Sequence, residues 1–486
     1  METPKDNNWT ITLDKFNVGA SPIAHLDSLT EIGNGGHYST AQEIDIMIPK
    51  KLSQGKGLAN LTNGTQAVAV TELINYILDV PPATDVTYGI GTTKLFKITP
   101  TSVVNASPFP YTITGCTGGE SVIAFQGNLY YFYNKTGGGD IGKYNLDATF
   151  DDDWGSTVPT GAAAILNAKH PVAIKEDIMV FGNGRYLGAY ISSSNTIAPT
   201  QLDFGTNTEV VDVAFYSNQW LIAVNQGVNS QTNRSSASLF LWDAGAQTTV
   251  LSDEVSIGIQ EIGFIKVFNG IIYLCYRDVG GNNIIGYVSG KSIVPLSYFT
   301  GDLPNYRQKT VYNGFIQFIS SGKVYVVGSA TPDFPVSISP ISSTGYATAG
   351  GIAVPFGTPM IASTATTNFR LAIYSGYSTA STWKSIIFPV SVLNADGYID
   401  RITVNTNSLG ANAKCKLKIY GNQNTVYSSD MIIETTGKIR HSFSGNYIDL
   451  KNVQDFSIGL DWSNGNATNP CIIRNIIIKG HWVNKD

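Results

Sequence analysis

The side chains able to do chemistry in this chain are few and scattered. Five histidines occur in 486 residues, His25, His37, His170, His441 and His481, and no two stand at metal-ligand spacing. No HExxH, GxSxG or Walker loop occurs, so zinc hydrolysis, serine acyl transfer and nucleotide cleavage all lack their usual residues. Gly33-Asn34-Gly35-Gly36 is a glycine turn without the strand-then-helix setting of a phosphate cradle. Asp151, Asp152 and Asp153 carry oxygens of the kind that bind calcium, but their spacing matches no EF-hand loop, and the stretch reads as a solvated turn. Carboxylate pairs for glycoside cleavage meet only in three dimensions, so the sequence leaves them open. The resulting expectation is a protein that is no enzyme, with no catalytic residue, metal ligand or cofactor to assign. Aromatic side chains are the other resource, since tyrosine and tryptophan stack on sugars and anchor interfaces. Trp462 continues an apolar alternation and is expected in a core. Trp383 stands among polar residues and is the candidate glycan platform.

Strands must position these groups. Ile265–Cys275, IKVFNGIIYLC, places an apolar run ending in an aromatic before Asn-Gly and a second such run after it, the strongest short-range signal for a hairpin. Val122–Phe132, Ile178–Ala189 and Lys309–Phe318 repeat the pattern; Val213–Val224 keeps the aromatics with Ser217-Asn218-Gln219 at the turn, and Tyr88–Ile98 turns at Gly91-Thr92-Thr93. The markers Gly91, Gly127, Gly184, Asn218, Gly270 and Gly314 lie 36, 57, 34, 52 and 44 residues apart. Their mean of about 45 is the period of a four-stranded propeller blade. The pattern therefore predicts a β-propeller of about six blades over residues 85–375, five or seven also fitting the irregular spacing. A set of unrelated hairpins in sandwiches is the competing architecture.

Before the hairpins, residues 1–64 read as an extended N-terminal arm broken by glycine turns. Its apolar side chains Trp9, Phe16, Ile23 and Leu26 are candidate interface anchors for a neighbouring chain or for the chain's own propeller. The alternation in Ile44–Ile48 suits a buried strand, one that can also complete the last blade. Residues 65–84 read as a short helix and linker: Thr65 caps, Val68, Leu73, Ile74, Ile77 and Leu78 fall largely on one face, and Pro81-Pro82 stops it. Thr331–Pro359, rich in Pro, Gly, Ser and Thr, reads as a long connection or a degenerate last blade. Residues 381–486 show clean two-residue alternation, as at Lys414–Tyr420, and predict a jelly-roll-like β-sandwich.

Composition narrows the partners. Only 14% of residues are charged and the net charge is −5, which argues against specific nucleic-acid binding, since neutralising phosphates takes clustered Lys and Arg. No apolar run is long enough to span a bilayer, and the polar start METPKDNNWT lacks a signal-peptide pattern, so synthesis in a cytoplasm is expected. Asn60-Leu61-Thr62 and Asn134-Lys135-Thr136 match glycosylation acceptors by coincidence of composition. Cys116, Cys275, Cys415 and Cys471 lie far apart, and indicate neither a zinc site nor a disulfide scaffold.

The order of parts, an irregular leader, DIMIPKKLSQGKGL at Asp45–Leu58, hairpin blades, then a terminal sandwich, resembles the propeller proteins of tailed-bacteriophage tails. The likeness is one of architecture across most of the chain and rests on no diagnostic motif. It implies a virion tail component, nozzle-like or hub-like, that forms a homo-oligomeric ring and contacts other virion proteins. Two other functions fit the same parts: an adhesin that binds a host surface glycan through the sandwich, and a carbohydrate-active propeller enzyme.

Overall fold

In the computed structural model, the described residues are 8–14, 16, 19–20, 37–42, 44–45, 51–61, 70–147, 149–229, 234–243, 253–327, 339–342, 348–365, 368–378, 380–389, 395–422, 425–426, 431–449, 455–462 and 468–484. Each quoted hairpin forms, and the turn chemistry is the reason. At Gln126-Gly127, Ser217-Asn218, Asn269-Gly270 and Asn313-Gly314 both turn residues have positive φ, between 47° and 81°. That is the left-handed pair whose twist matches the flanking strands. The apolar residues alternate between the two faces of each ribbon, and stacking one ribbon on the next buries both.

Seven four-stranded antiparallel sheets follow from Tyr76 to Tyr377 among the described residues, giving an all-β, propeller-like fold. The first strands of successive sheets are Tyr76–Ile77, Cys116–Phe125, Val172–Lys175, Thr208–Tyr216, Glu261–Phe268, Lys309–Tyr312 and Thr348–Ala353. Each packs against its neighbour, and the seventh packs back on the first. Between the fifth and sixth, the link is a shared core of Phe264, Cys275, Ile285, Ile316 and Phe318. The sequence markers were irregular because those in the first and third sheets sit at the second turn, between Ile90 and Lys94 and between Asn183 and Tyr186. First turns fall near residues 127, 177, 218, 270, 314 and 357, spaced between 41 and 52 residues.

The seventh sheet takes its outermost strand from the leader: Lys56–Asn60 pairs antiparallel with Asn368–Tyr377. Residues 44–48 read from the sequence as a buried strand, one that can also complete the last blade. Ile44–Asp45 instead pairs with Ser53–Gln54, and 46–48 lie outside the described residues. The expected helix over 65–79 is also corrected, for residues 70–79, since 65–69 lie outside the described set. Tyr76–Ile77 is a strand, and the amides of Asn75 and Leu78 donate to the carbonyls of Ile90 and Tyr88 at 2.8 Å. Ile74, Ile77 and Leu78 are buried from that extended stretch. The described residues contain one helix, Trp154–Thr157.

The remaining strands make two further sheets. One orders Asn8–Leu13, Ile473–Asn484, Ala395–Thr406 and Arg440–Asp449; the other runs through Gly19–Ala20, His37–Gln42, Thr382–Ser385, Asp455–Asp461 and Cys415–Gly421. The leader is thus woven into both sheets and into the ring. One continuous core joins Trp9, Phe16, Trp383, Trp462, Leu417 and Ile478 of these sheets to Phe315, Val324, Ile352 and Tyr374 of the sixth and seventh.

Candidate functional site

The first strands surround a cavity of about 310 Å³ that is lined from six of the seven sheets: Tyr76 and Asp79, Val172, Asp212, Ile265 and Lys266, Lys309, and Ile352. Val80, on its wall, is 74% exposed, so the cavity reaches solvent there. Asp212, Lys266 and Lys309 bring charges to it from three first strands, and the first and last of these pair. Asp212 directly follows a register shift between Val210 and Asp212. Its Oδ1 accepts from the Val213 amide at 2.9 Å, and its Oδ2 from the Ile265 amide at 2.8 Å and from the Lys309 ammonium. Lys309 also donates to the Ile265 carbonyl at 2.6 Å. One ion pair therefore ties the fourth, fifth and sixth sheets.

Burial is the strongest influence on both partners, and it works against charge on each. It lowers Lys309 to about 8 despite the attraction of Asp212, and raises Asp212 despite Lys309. Tyr76 is held well above the ordinary phenol value, first by burial and then by the charges of Asp79 and Asp212, so it is a neutral donor at any physiological pH. Tyr306 and Arg307 are also on the cavity wall: the Tyr306 hydroxyl donates to Glu120 Oε2 at 2.7 Å, with Arg307 at 3.7 Å from the same oxygen. Gly119 is needed beside it: a Cβ there would lie 2.1 Å from the Gly91 carbonyl oxygen.

The residues singled out from the sequence lie elsewhere. Trp383 is corrected: it is only 3% exposed, with its ring edge-on to Phe16 at 5.6 Å, and offers no stacking face to a glycan. Trp9 and Phe16 are corrected as partner anchors, because both are buried in this chain's own core. Ile23 and Leu26 lie outside the described residues. The acidic turn is not simply solvated: Asp152 accepts from the hydroxyls of Tyr111 at 2.9 Å and Tyr131 at 2.5 Å and from the Thr114 amide at 2.9 Å. Asp153 lies 3.2 Å from the Lys135 ammonium. Trp462 and all four cysteines are buried, the cysteines as free thiols. Among the described residues no group of three or more His, Cys, Asp or Glu side chains could hold a metal ion, and no helix is long and apolar enough to cross a membrane. Sequence reasoning passed over Lys309 and Asp212 although both border quoted hairpins. The available signal was a charge set inside an apolar run, Asp212 between Val211 and Val213 in EVVDVAFY.

No protein-family model and no curated protein matches the chain. Solved structures do. The extracellular domain of the hybrid two-component system BT4673 of B. thetaiotaomicron is 11% identical at a TM-score of 0.45; the match covers 74% of this chain and 45% of that one. This chain therefore spans under half the length of that structure. The WD40 domain of Neurospora crassa Pan2 is 7% identical at a TM-score of 0.43, with 65% and 94% covered. An exo-β-1,3-galactanase of Phanerochaete chrysosporium, solved with β-1,3-galactotriose, is 10% identical at a TM-score of 0.31, with 66% and 98% covered. Likeness at this level carries no argument about substrate or partner. The expectation from the sequence that the chain is no enzyme is corrected to this extent: a glycosidase stands among the structures it is similar to.

Proposed function

We propose that the seven sheets are the blades of one closed propeller, that the two remaining sheets form a β-sandwich, and that the protein is a structural component of a tailed-bacteriophage tail, assembling as a ring of identical copies. The observation that carries the reading is the weave of the leader. Residues 8–13 belong to the sandwich, 56–60 close the seventh sheet, and one apolar core runs through both units. A body locked in this way keeps its two units in fixed relation, as a ring subunit that transmits force requires. The order of parts, leader, hairpin sheets and terminal sheets, supports the same assignment. With Trp9 and Phe16 taken up internally, contacts between copies fall to exposed side chains such as Tyr298, on the outermost strand of the fifth sheet and 63% exposed, and Val279 nearby at 77%.

Electron microscopy of the purified protein tests this. Rings of fixed symmetry that dissociate in Tyr298→Asp are the expected result. Single particles of one chain at concentrations of about 10 μM and above, where specific interfaces of standard size hold together, would overturn it. The adhesin reading loses the residue that favoured it, because Trp383 is buried.

A further inference from the structure

The central cavity contains more hydrogen-bonding capacity than the fold uses. Asp212 is spent, with three donors already on its two oxygens. Lys309 gives two of its three N–H groups to Asp212 and the Ile265 carbonyl, leaving one. Asp79 receives the Val354 amide at 2.7 Å and the Thr310 hydroxyl at 3.0 Å, both on Oδ1, and its second oxygen takes no donor among the described residues. Lys266 and the Tyr76 hydroxyl line the same space. Neither hydrogen bonds to any described residue. The unclaimed groups are thus two ammonium donors, one phenol donor and one carboxylate oxygen, with the Arg307 guanidinium also on the wall and giving one N–H to the Gly119 carbonyl at 3.3 Å; the rings of Tyr76 and Tyr306 stand beside them, their centroids 6.4 Å apart.

We propose that this cavity binds a small polyhydroxylated acid of the sugar-acid class, its carboxylate held by Lys266 and Lys309, its hydroxyls by Asp79 and Tyr76. The chemistry selects that class on three grounds. A fully cationic ligand would meet both ammonium groups, and a simple inorganic anion would leave the Asp79 oxygen without a donor and facing like charge. A hydroxylated ring with one carboxylate answers both, and its C–H faces suit the tyrosine rings. The volume, near the lower limit of about 300 Å³ for ligand pockets, suits a ligand of one or two rings, and the mouth at Val80 admits it. The site lies inside one chain and does not rest on the assembly proposed above.

Isothermal titration of the full chain with D-glucuronate, D-glucose and L-serine tests the proposal. Saturable binding of D-glucuronate is expected, with D-glucose bound at least about tenfold more weakly for want of the charge-assisted carboxylate contact, and L-serine at least about tenfold more weakly because its ammonium meets Lys266 and Lys309 and it has no ring for the tyrosines. Lys266→Gln and Tyr76→Phe each remove a group with no structural partner, so both variants should fold. Each should weaken D-glucuronate by about fivefold to tenfold. No binding of D-glucuronate by folded protein, equal binding of D-glucose, preferential binding of L-serine, or affinity unchanged in both variants would each overturn it.

Discussion

Lys309 and Asp212 hold a charge pair where both partners are disfavoured as ions, and the sign of the consequence can be worked out. The folded lysine titrates near 8 against an ordinary value of 10.5, so between those limits the unfolded chain binds more protons than the folded one. This group's contribution to stability therefore rises with pH across that window. Asp212 faces Lys309 directly, while Lys266 lowers Lys309 further and Asp79 raises it. From pH 8 to 9.5, the urea-unfolding free energy of the wild type should rise relative to Lys309→Met by about 1 to 2 kcal/mol. A constant difference would show that Lys309 titrates as an exposed lysine. Trp383 makes the second prediction at this scale. Trp383→Ala should cost about 3 to 5 kcal/mol in denaturant unfolding, because it empties a core position against Phe16. A loss well under 1 kcal/mol would return Trp383 to the surface. The sequence hid this because the polar neighbours Ser381, Thr382, Lys384 and Ser385 were read as its environment. In a strand the residues either side of Trp383, Thr382 and Lys384, point to the opposite face, and they say nothing about where the indole goes. Trp462 was legible, since Phe456, Ile458 and Leu460 alternate toward the same core.

Hairpins were the elements most open to reading, because two left-handed turn residues and a period of two are both written locally. Asn269 at φ 50° shows how local: Asn269→Val puts a β-branched side chain into that region and should cost about 1 to 2 kcal/mol, measurable as a lower urea midpoint with an unchanged slope. Segments whose partners lie far along the chain were not legible. Residues 70–79 carry apolar positions that also suit a helix, yet their amides are taken by the strand Thr87–Ile90. Tertiary pairing overrides a weak propensity there. The closing strand Lys56–Asn60 pairs with residues more than 300 positions away, and nothing in its own composition names them. It sets the next prediction. Ala59 stands opposite Ile373, so Ala59→Pro takes an amide out of that ladder. Amide hydrogen exchange in Asn368–Tyr377 should accelerate by about tenfold or more, the loss of one net hydrogen bond, while strands of the third and fourth sheets keep their protection. Uniform acceleration in every sheet would mean that the strand does not act locally as a clasp.

At the scale of the molecule, the leader changes what a truncation means. As a free arm, residues 1–40 could be removed with the fold intact; woven in, they cannot. Their loss takes away Asn8–Leu13 and most of His37–Gln42, which pair with Ile473–Asn484 and Thr382–Ser385. It also uncovers Ile476 and Ile478, both buried beside Ile402 and Val404. Deleting 1–40 should therefore disorder the terminal sheets while leaving most of the ring, whose closing strand begins at Lys56. Near-ultraviolet circular dichroism and exchange mapping would separate the two regions in the truncated protein. In the intact chain the expectation reverses. Phe315, Val324, Ile352 and Tyr374 of the sixth and seventh sheets share one core with Trp383 and Trp462, so neither unit can open without exposing apolar surface of the other. Heating should then give a single transition, with indoles of the ring, Trp154 and Trp220, and of the terminal sheets, Trp383 and Trp462, losing their native environments together. Two resolved transitions would mean that the shared core is too thin to couple them, and that the ring and the terminal sheets behave as separate bodies.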